Sequence, residues 1–492
     1  MDSALPPPPD SADACIPPDN NRTSCNAQQH VQSPDRISSL PDGILINILS
    51  LMTVREAAVT DVLSTRWRHL WESVDHLILD MHTFGMQVPP NSDNHGNLDF
   101  SNSEATTFVR KVNELLSHHK GNKLKEFKVE FPLSSAHASE LDRWVAFAVA
   151  SHAETLTLSL CDEHGRIAID HREAYFFPLK QFSDVGGCQL HVLSLYECIF
   201  ETVPANLSGF SCLYSLSLCN VRVVDEVLLS IMSSCNALCY LYLRSCHKLI
   251  DLRVSHAQLV NLEVYSCGRL RNISIHAEKL ESFSYKGRRV DIEYECVPVL
   301  SKLGAYFGIL KHTLDLLDNF PNKLKVLTLH FPSRCQVSRI LQHNGRFAVL
   351  KEITLCIKMR QSWKNSIRIV ALILQSAPLV ETLNLEVCGN LRPLKMLKIR
   401  WPKNFTAASL RTIRIGGFSG ESELVHLLLF LLRRSPVLKT LVIRTHQVRH
   451  PALRISEIER SKDAALRCNY GREVAQTHLA PNVPATVKLS IM

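Results

Sequence analysis

The sequence predicts an α/β chain in which a small helical segment precedes a long, irregular repeat solenoid built on a curved parallel sheet. Three observations lead there. An apolar unit with the spacing i, i+3, i+5 recurs along most of the chain. A cysteine follows the last apolar residue of several of these units at a fixed distance of three residues. Near the start, between Asp35 and Asp80, the apolar residues keep a helical period instead.

The helical segment divides into three short elements. The first starts near Asp42 and carries Ile44, Leu45, Ile48 and Leu49 on one stripe. The second opens on Thr53, with Glu56 three residues later. Hydroxyl and carboxylate there cover two orphan amides of the first turn, a capping box. Its apolar members are Val54, Ala57, Ala58 and Val62. The third starts at Ser64, a good N-cap, and carries Trp67, Leu70 and Trp71, with Leu63 just ahead. A unit of about 40 residues cannot bury so many large side chains without a disulfide, a metal or a partner. The stretch has no cysteine and no cluster of metal ligands. Its surplus apolar surface is covered either by the rest of the chain or by a second protein, and the spacing leaves both open.

The order Leu40, Pro41, Asp42, then Ile44, Leu45, Ile48, Leu49, then Val62, Leu63, Ser64, then Arg66, Trp67, Arg68, Leu70, Trp71 resembles an F-box. The form is that of plant F-box proteins with leucine-rich repeats. The resemblance implies docking on a Skp-type adaptor, which joins a cullin scaffold, and so a substrate receptor of an SCF-type ubiquitin ligase. By the same resemblance, Leu40, Pro41, Ile44, Leu45, Ile48 and Leu49 make the first half of the adaptor contact. Val62, Leu63, Trp67, Leu70 and Trp71 are shared between that contact and the motif's own small core.

In chain order, residues 1–34 are rich in Pro, Asp, Asn, Ser and Gln and read as a disordered tail. The F-box occupies 35–80, and 81–102, with Gly85, Pro89, Pro90, Asn91 and Gly96, read as a linker. Ser103 to His119 has a helical stripe of Phe108, Val112, Leu115 and Leu116, ended at Gly121. Leu124 to Phe131 reads as a strand. Ser139 to Ala150 reads as a helix with Leu141, Trp144, Val145 and Val149 inward.

Then the repeat dominates. Leu190, Leu193 and Leu195 are followed by equivalent triplets starting at Leu213, Leu238, Leu259 and Leu280, at steps of 23, 25, 21 and 21 residues. Further triplets start at Leu324, Leu350, Val380, Leu410 and Leu438, with a weak copy at Leu300, Leu303 and Ala305. Leu124 and Ala153 open the series. Period and pattern are those of a leucine-rich repeat. Cys161, Cys198, Cys246, Cys267 and Cys388 occupy its N/C slot, where a small thiol turns inward. The solenoid is expected over 103–443. Within it, Gly416, Gly417, Phe418 and the stretch to Ile443 resemble the FBD-type segment of many plant F-box proteins, spanning about 380–443. Residues 444–492 are expected to cap the end, with a helix near Ala464 to His478 and a strand at Ala485 to Ile491.

Composition excludes little but bounds the class. The chain has 492 residues, 46% hydrophobic and 21% charged, with net charge +8. Spread over that length, the charge does not call for nucleic acid. The start MDSALPPPPD lacks the apolar core of an export signal, and Leu427 to Leu432 is too short to span a bilayer. A soluble intracellular chain of cytoplasm or nucleus, with no membrane partner, is expected. The 16 cysteines are then expected to be reduced. No Cys-x-x-Cys pair, phosphate loop, H-E-x-x-H or G-x-S-x-G is present, and His446 and His450 lack a third ligand. No cofactor, metal or catalytic residue is expected. The solenoid is expected to hold an unknown protein substrate. Rival readings are a leucine-rich scaffold with no ligase role, or a small-molecule-dependent receptor of the same architecture.

Overall fold

The computed structural model of the chain describes residues 36–86, 102–121, 123–161, 174–183, 189–200, 202–306, 320, 324–331, 347, 349–359, 367–389, 398–402, 404–446 and 461–492. The expected tail, most of the 81–102 linker, the side chain of Cys388 and positions Arg449, His450 and Arg454 lie outside them.

One parallel sheet of 15 strands runs through the molecule, its strand order following the chain. Register explains why. Each unit places its second and third apolar residues two apart on a strand, so both point to one face. Pairing aligns them across every neighbour: Leu193 lies beside Leu216, Leu216 beside Leu241, and Leu241 beside Leu262. Two apolar ladders result, and their members are buried from Leu77 through Ile443. No single rung could bury that face alone, so the ladders hold the stack together. The weak copy is a full rung, the strand Lys302–Tyr306. Gly304 is needed in it because a side chain there would run into Ser284.

Repeat length selects what returns the chain to the next rung. Steps of 25 residues or more accommodate a helix: Asp225–Ser234, Ile367–Ser376 and Ser422–Arg434. The short steps after Leu238 leave no room for one. There the return is extended, and the strands Asp251–Ser255, Asn272–His276 and Asp291–Cys296 form a second parallel sheet.

The cysteine slot has a backbone cause. Glu197, Ser245 and Ser266 sit at φ 63°, 54° and 57°, directly before Cys198, Cys246 and Cys267. That left-handed residue turns each thiol inward, where it donates to a carbonyl of the strand just ended. All three are buried, as is Cys161. Burial pushes the Cys198 thiol far up and the Cys219 thiol to about 12, the behaviour of packing groups rather than nucleophiles.

Two expectations need correction at the N-terminal end. The sheet begins at His76–Asp80, which pairs in parallel with Glu126–Glu130, so the solenoid's first rung lies inside the F-box segment. Residues 81–86 of the expected linker continue directly from that rung. Met81 and Thr83 are buried, and Phe84 meets Phe108 edge-on at 5.5 Å. The third F-box helix is also absent. Residues 65–69 are turns, and His69 at φ 68° breaks any helix before the short 3-10 turn Leu70–Ser73. At the other end a helix and a strand follow the last leucine triplet. The helix Ser461–Val474 leads to the strand Lys488–Ile491, which pairs with Thr440–Ile443 and adds the last rung.

Candidate functional site

The F-box helices divide their apolar residues between two faces. The helix Asp42–Leu49 turns Leu45 and Leu49 fully inward. The helix Val54–Val59 turns in Val54 and Ala57, and Thr53 and Glu56 close the capping box at 2.9 and 3.2 Å. The Thr53 backbone amide, then its hydroxyl, hold the Glu56 carboxyl below its ordinary range. Trp67 is buried and donates from Nε1 to Ser38 at 2.7 Å. Arg66 donates to the Leu40 carbonyl and to Asp42. Trp71 and the His69 amide both donate to Asp61. The late residues thus clamp the first helix.

Of the residues expected at the adaptor, Pro41, Ile44, Val62 and Leu63 are exposed, and Leu40, Ile48, Leu70 and Trp71 are half-buried against the core. Leu45, Leu49 and Trp67 are buried. Leu45 and Leu49 lie on the stripe of the first helix that faces the chain's own core, and Trp67 packs in the small core that it was expected to share with the contact. The sequence reading missed Ile37, Leu51, Met52 and Val59, all exposed. The available signal was the pair Leu51 and Met52, placed just past the first helix with no stripe to join. Among the described residues 18 large apolar side chains are exposed, and seven fall between Ile37 and Leu63. Leu51 is 88%, Val62 83%, and Val59 and Leu63 64% exposed. Single exposed apolar residues are ordinary; this density makes the segment the candidate interface.

Ion pairs and a hydrogen bond tie the end of the segment to the solenoid. The buried Glu72 carboxylate meets Lys120 at 2.6 Å and His69 at 2.7 Å. Its burial works to raise the carboxyl, and the hydrogen bonds from Lys120 and His69 outweigh that and hold it below its ordinary range. Lys125 pairs with Asp75 at 2.6 Å, and the His119 ring meets the Val74 carbonyl at 2.9 Å. Burial first keeps His119 below the usual imidazole range.

The sheet's other face, away from the core, carries a band of aromatic rings. Tyr242 meets Tyr265 edge-on at 5.5 Å, Tyr265 meets Tyr306 at 5.2 Å, and Tyr306 stacks on His330 at 3.7 Å. Lys286 lies 5.1 Å over the Tyr306 ring, and Tyr240 donates to Glu263 at 3.0 Å. Burial pushes the Tyr242 hydroxyl up to about 12, so it stays protonated and able to donate.

A helical head with exposed apolar residues is followed by a solenoid of leucine-rich repeats. Comparison with known proteins agrees. The model of the At1g61320/AtMIF1 LRR domain matches residues 115–492, and the F-box domain matches residues 37–79. The chain belongs to this leucine-rich-repeat family and is a plant-type F-box/LRR protein. It is 26% identical over 429 residues to the F-box/FBD/LRR-repeat protein At1g13570 of Arabidopsis thaliana, covering 84% of this chain and 91% of that one. It is 29% identical over 288 residues to the Arabidopsis F-box protein At5g03100, covering 57% and 78%. A leucine-rich repeat protein of Leptospira interrogans resembles it at 13% identity and a TM-score of 0.28, over 85% of this chain and 96% of that one. Among the described residues no helix is long and apolar enough to cross a membrane.

Proposed function

We propose that this chain is the substrate-recognition subunit of an SCF-type ubiquitin ligase. Residues 35–80 dock a Skp-type adaptor, and through it a cullin scaffold. The solenoid, expected over 103–443 and preceded by the rung His76–Asp80, selects the protein to be ubiquitinated, and 444–492 close its end. The observation that carries the reading is the crowding of exposed apolar side chains between Ile37 and Leu63 on a segment matched by the F-box domain. Clustered exposed apolar side chains of this kind are what protein interfaces use. A scaffold with no adaptor would need that face turned onto the repeats, and only its inner side is. The joint at Glu72, Lys120, Asp75 and Lys125 suits a receptor, because a rigid head fixes where a bound substrate sits relative to the conjugating enzyme. The chain itself supplies position, not chemistry. Such a receptor acts in the cytoplasm or nucleus, where its thiols stay reduced.

The test is co-purification of the full chain with a recombinant Skp-type adaptor, then with the cullin scaffold. Stoichiometric binding of the folded chain supports the reading. A folded chain that binds no Skp-type adaptor overturns it.

A further inference from the structure

The second sheet ends in an arrangement that the adaptor role does not use. His276 closes the strand Asn272–His276, Glu278 lies two residues on, and Cys296 closes the neighbouring strand Asp291–Cys296. One ring nitrogen, one carboxylate oxygen and the sulfur of these residues all lie within 4.8 Å of one another. We propose that they bind a divalent ion of the zinc class, and that the ion staples the edge of this sheet.

Four features support the assignment. The first is donor chemistry. Imidazole, thiolate and carboxylate together are the set zinc takes, whereas magnesium and calcium take oxygens alone. The second is reach. Bonds of about 2.0–2.3 Å put tetrahedral ligands about 3.3–3.8 Å apart, so side-chain rotation of roughly 1 Å closes the site.

The third is a register break. Ile275 pairs with Tyr294, but His276 pairs with Cys296, so Glu295 is an extra residue in the edge strand. Bulges re-aim side chains. This one brings both Glu295 and Cys296 beside His276, with Glu295 3.6 Å from Nδ1. Ser274 donates to the other Glu295 oxygen, which holds that carboxylate near the ring. A carboxylate behind a ligating histidine is a common outer-shell arrangement. The backbone beneath is fixed too, since the Ala277 amide donates to the Cys296 carbonyl at 2.9 Å and the His276 carbonyl accepts from His256 at 3.0 Å.

The fourth is need. Asp291–Cys296 is paired on one side only and is the least buried strand of its sheet. An ion joining its end to the neighbouring strand adds a side-chain link to an edge that the ladder holds on one side only.

The test uses the full chain, reduced, freed of metal by chelation and titrated with Co2+ and then Zn2+. The expected result is a thiolate-to-Co2+ charge-transfer band that saturates at a single ion per chain and is displaced by Zn2+. Cys296→Ser should abolish the band. His276→Ala and Glu278→Gln should each weaken binding at least tenfold, and Glu295→Gln about 10-fold or more. Zn2+ should slow amide exchange at 291–296 in the parent and not in Cys296→Ser. Unchanged circular dichroism in each variant separates loss of the ion from loss of fold. No band in the parent, or an unchanged band in Cys296→Ser, overturns the proposal.

Discussion

The exposed face of the F-box segment makes one prediction that separates docking from folding. Val62 and Leu63 are 83% and 64% exposed, so Val62→Asp/Leu63→Asp removes almost no packing from the free chain. Its folding cost should stay near 0.5 kcal/mol, the usual range for surface changes. In a complex the balance differs. Full burial of a Val or Leu side chain contributes about 1.5–3 kcal/mol, so two lost anchors amount to at least about 3 kcal/mol. Each new carboxylate must also shed water against an apolar partner. At 1.4 kcal/mol per tenfold, adaptor affinity should fall by at least about 100-fold. Titration calorimetry with a Skp-type adaptor reads the affinity, and a thermal melt of the same sample reads the fold. Leu45→Ala is the control. That side chain is fully buried, so its loss should cost about 2–5 kcal/mol and lower the melting temperature, touching binding only through folding. A double variant with parental affinity and an unchanged melt would refute the docking face. A double variant that melts early would show that these residues belong to the core.

Three further outcomes follow from the packing. Leu241→Ala empties a fully buried rung of the ladder and should cost about 2–5 kcal/mol, seen as a lowered denaturant midpoint. Lys120→Met leaves the buried Glu72 carboxylate short of a cation and should cost about 1–3 kcal/mol at pH 7. That pair's contribution is present above the ordinary carboxylate range and fades as pH falls through Glu72's lowered folded value, so parent and variant should converge in acid. Glu421 titrates the other way. Its burial raises the carboxyl from 4.5 to about 7, against the pull of the Ser419 amide at 2.9 Å. Its stabilisation is whole below pH 4.5 and is lost as pH rises to about 7, a fall of about 3 kcal/mol. Glu421→Gln should remove that slope from denaturant titrations taken at pH 4.5, 6 and 8; a slope identical to the parent's would disprove it.

The sequence by itself determined the repeat. The i, i+3, i+5 spacing, the cysteine slot and the capping box at Thr53 and Glu56 are local patterns, and local patterns survive into structure when a ladder repeats them. Even the weak copy at Leu300 carries enough of the pattern to form a rung. Pairing across repeats was not legible, because it depends on residues 20 to 50 positions apart. Val74, Leu77 and Leu79 do carry the i, i+3, i+5 spacing, but inside the helical segment that signal went unread, and its pairing with Glu126–Glu130 is what makes it the first rung. The break at His69 was hidden as well, since Ser64 and Trp67 read locally as the start of a helix. The division of the F-box's apolar residues was undecided for the same reason. Leu45 and Val62 are equally apolar in the sequence, and only the position of the first rung decides that one is core and the other surface. His276 and Cys296 gave no motif because they stand one repeat apart; the solenoid's period, and the extra residue at Glu295, set them side by side. Composition and spacing chose the elements. Stacking chose which faces met, because an apolar side chain is satisfied by any apolar neighbour and the ladder alone determines which neighbour it gets.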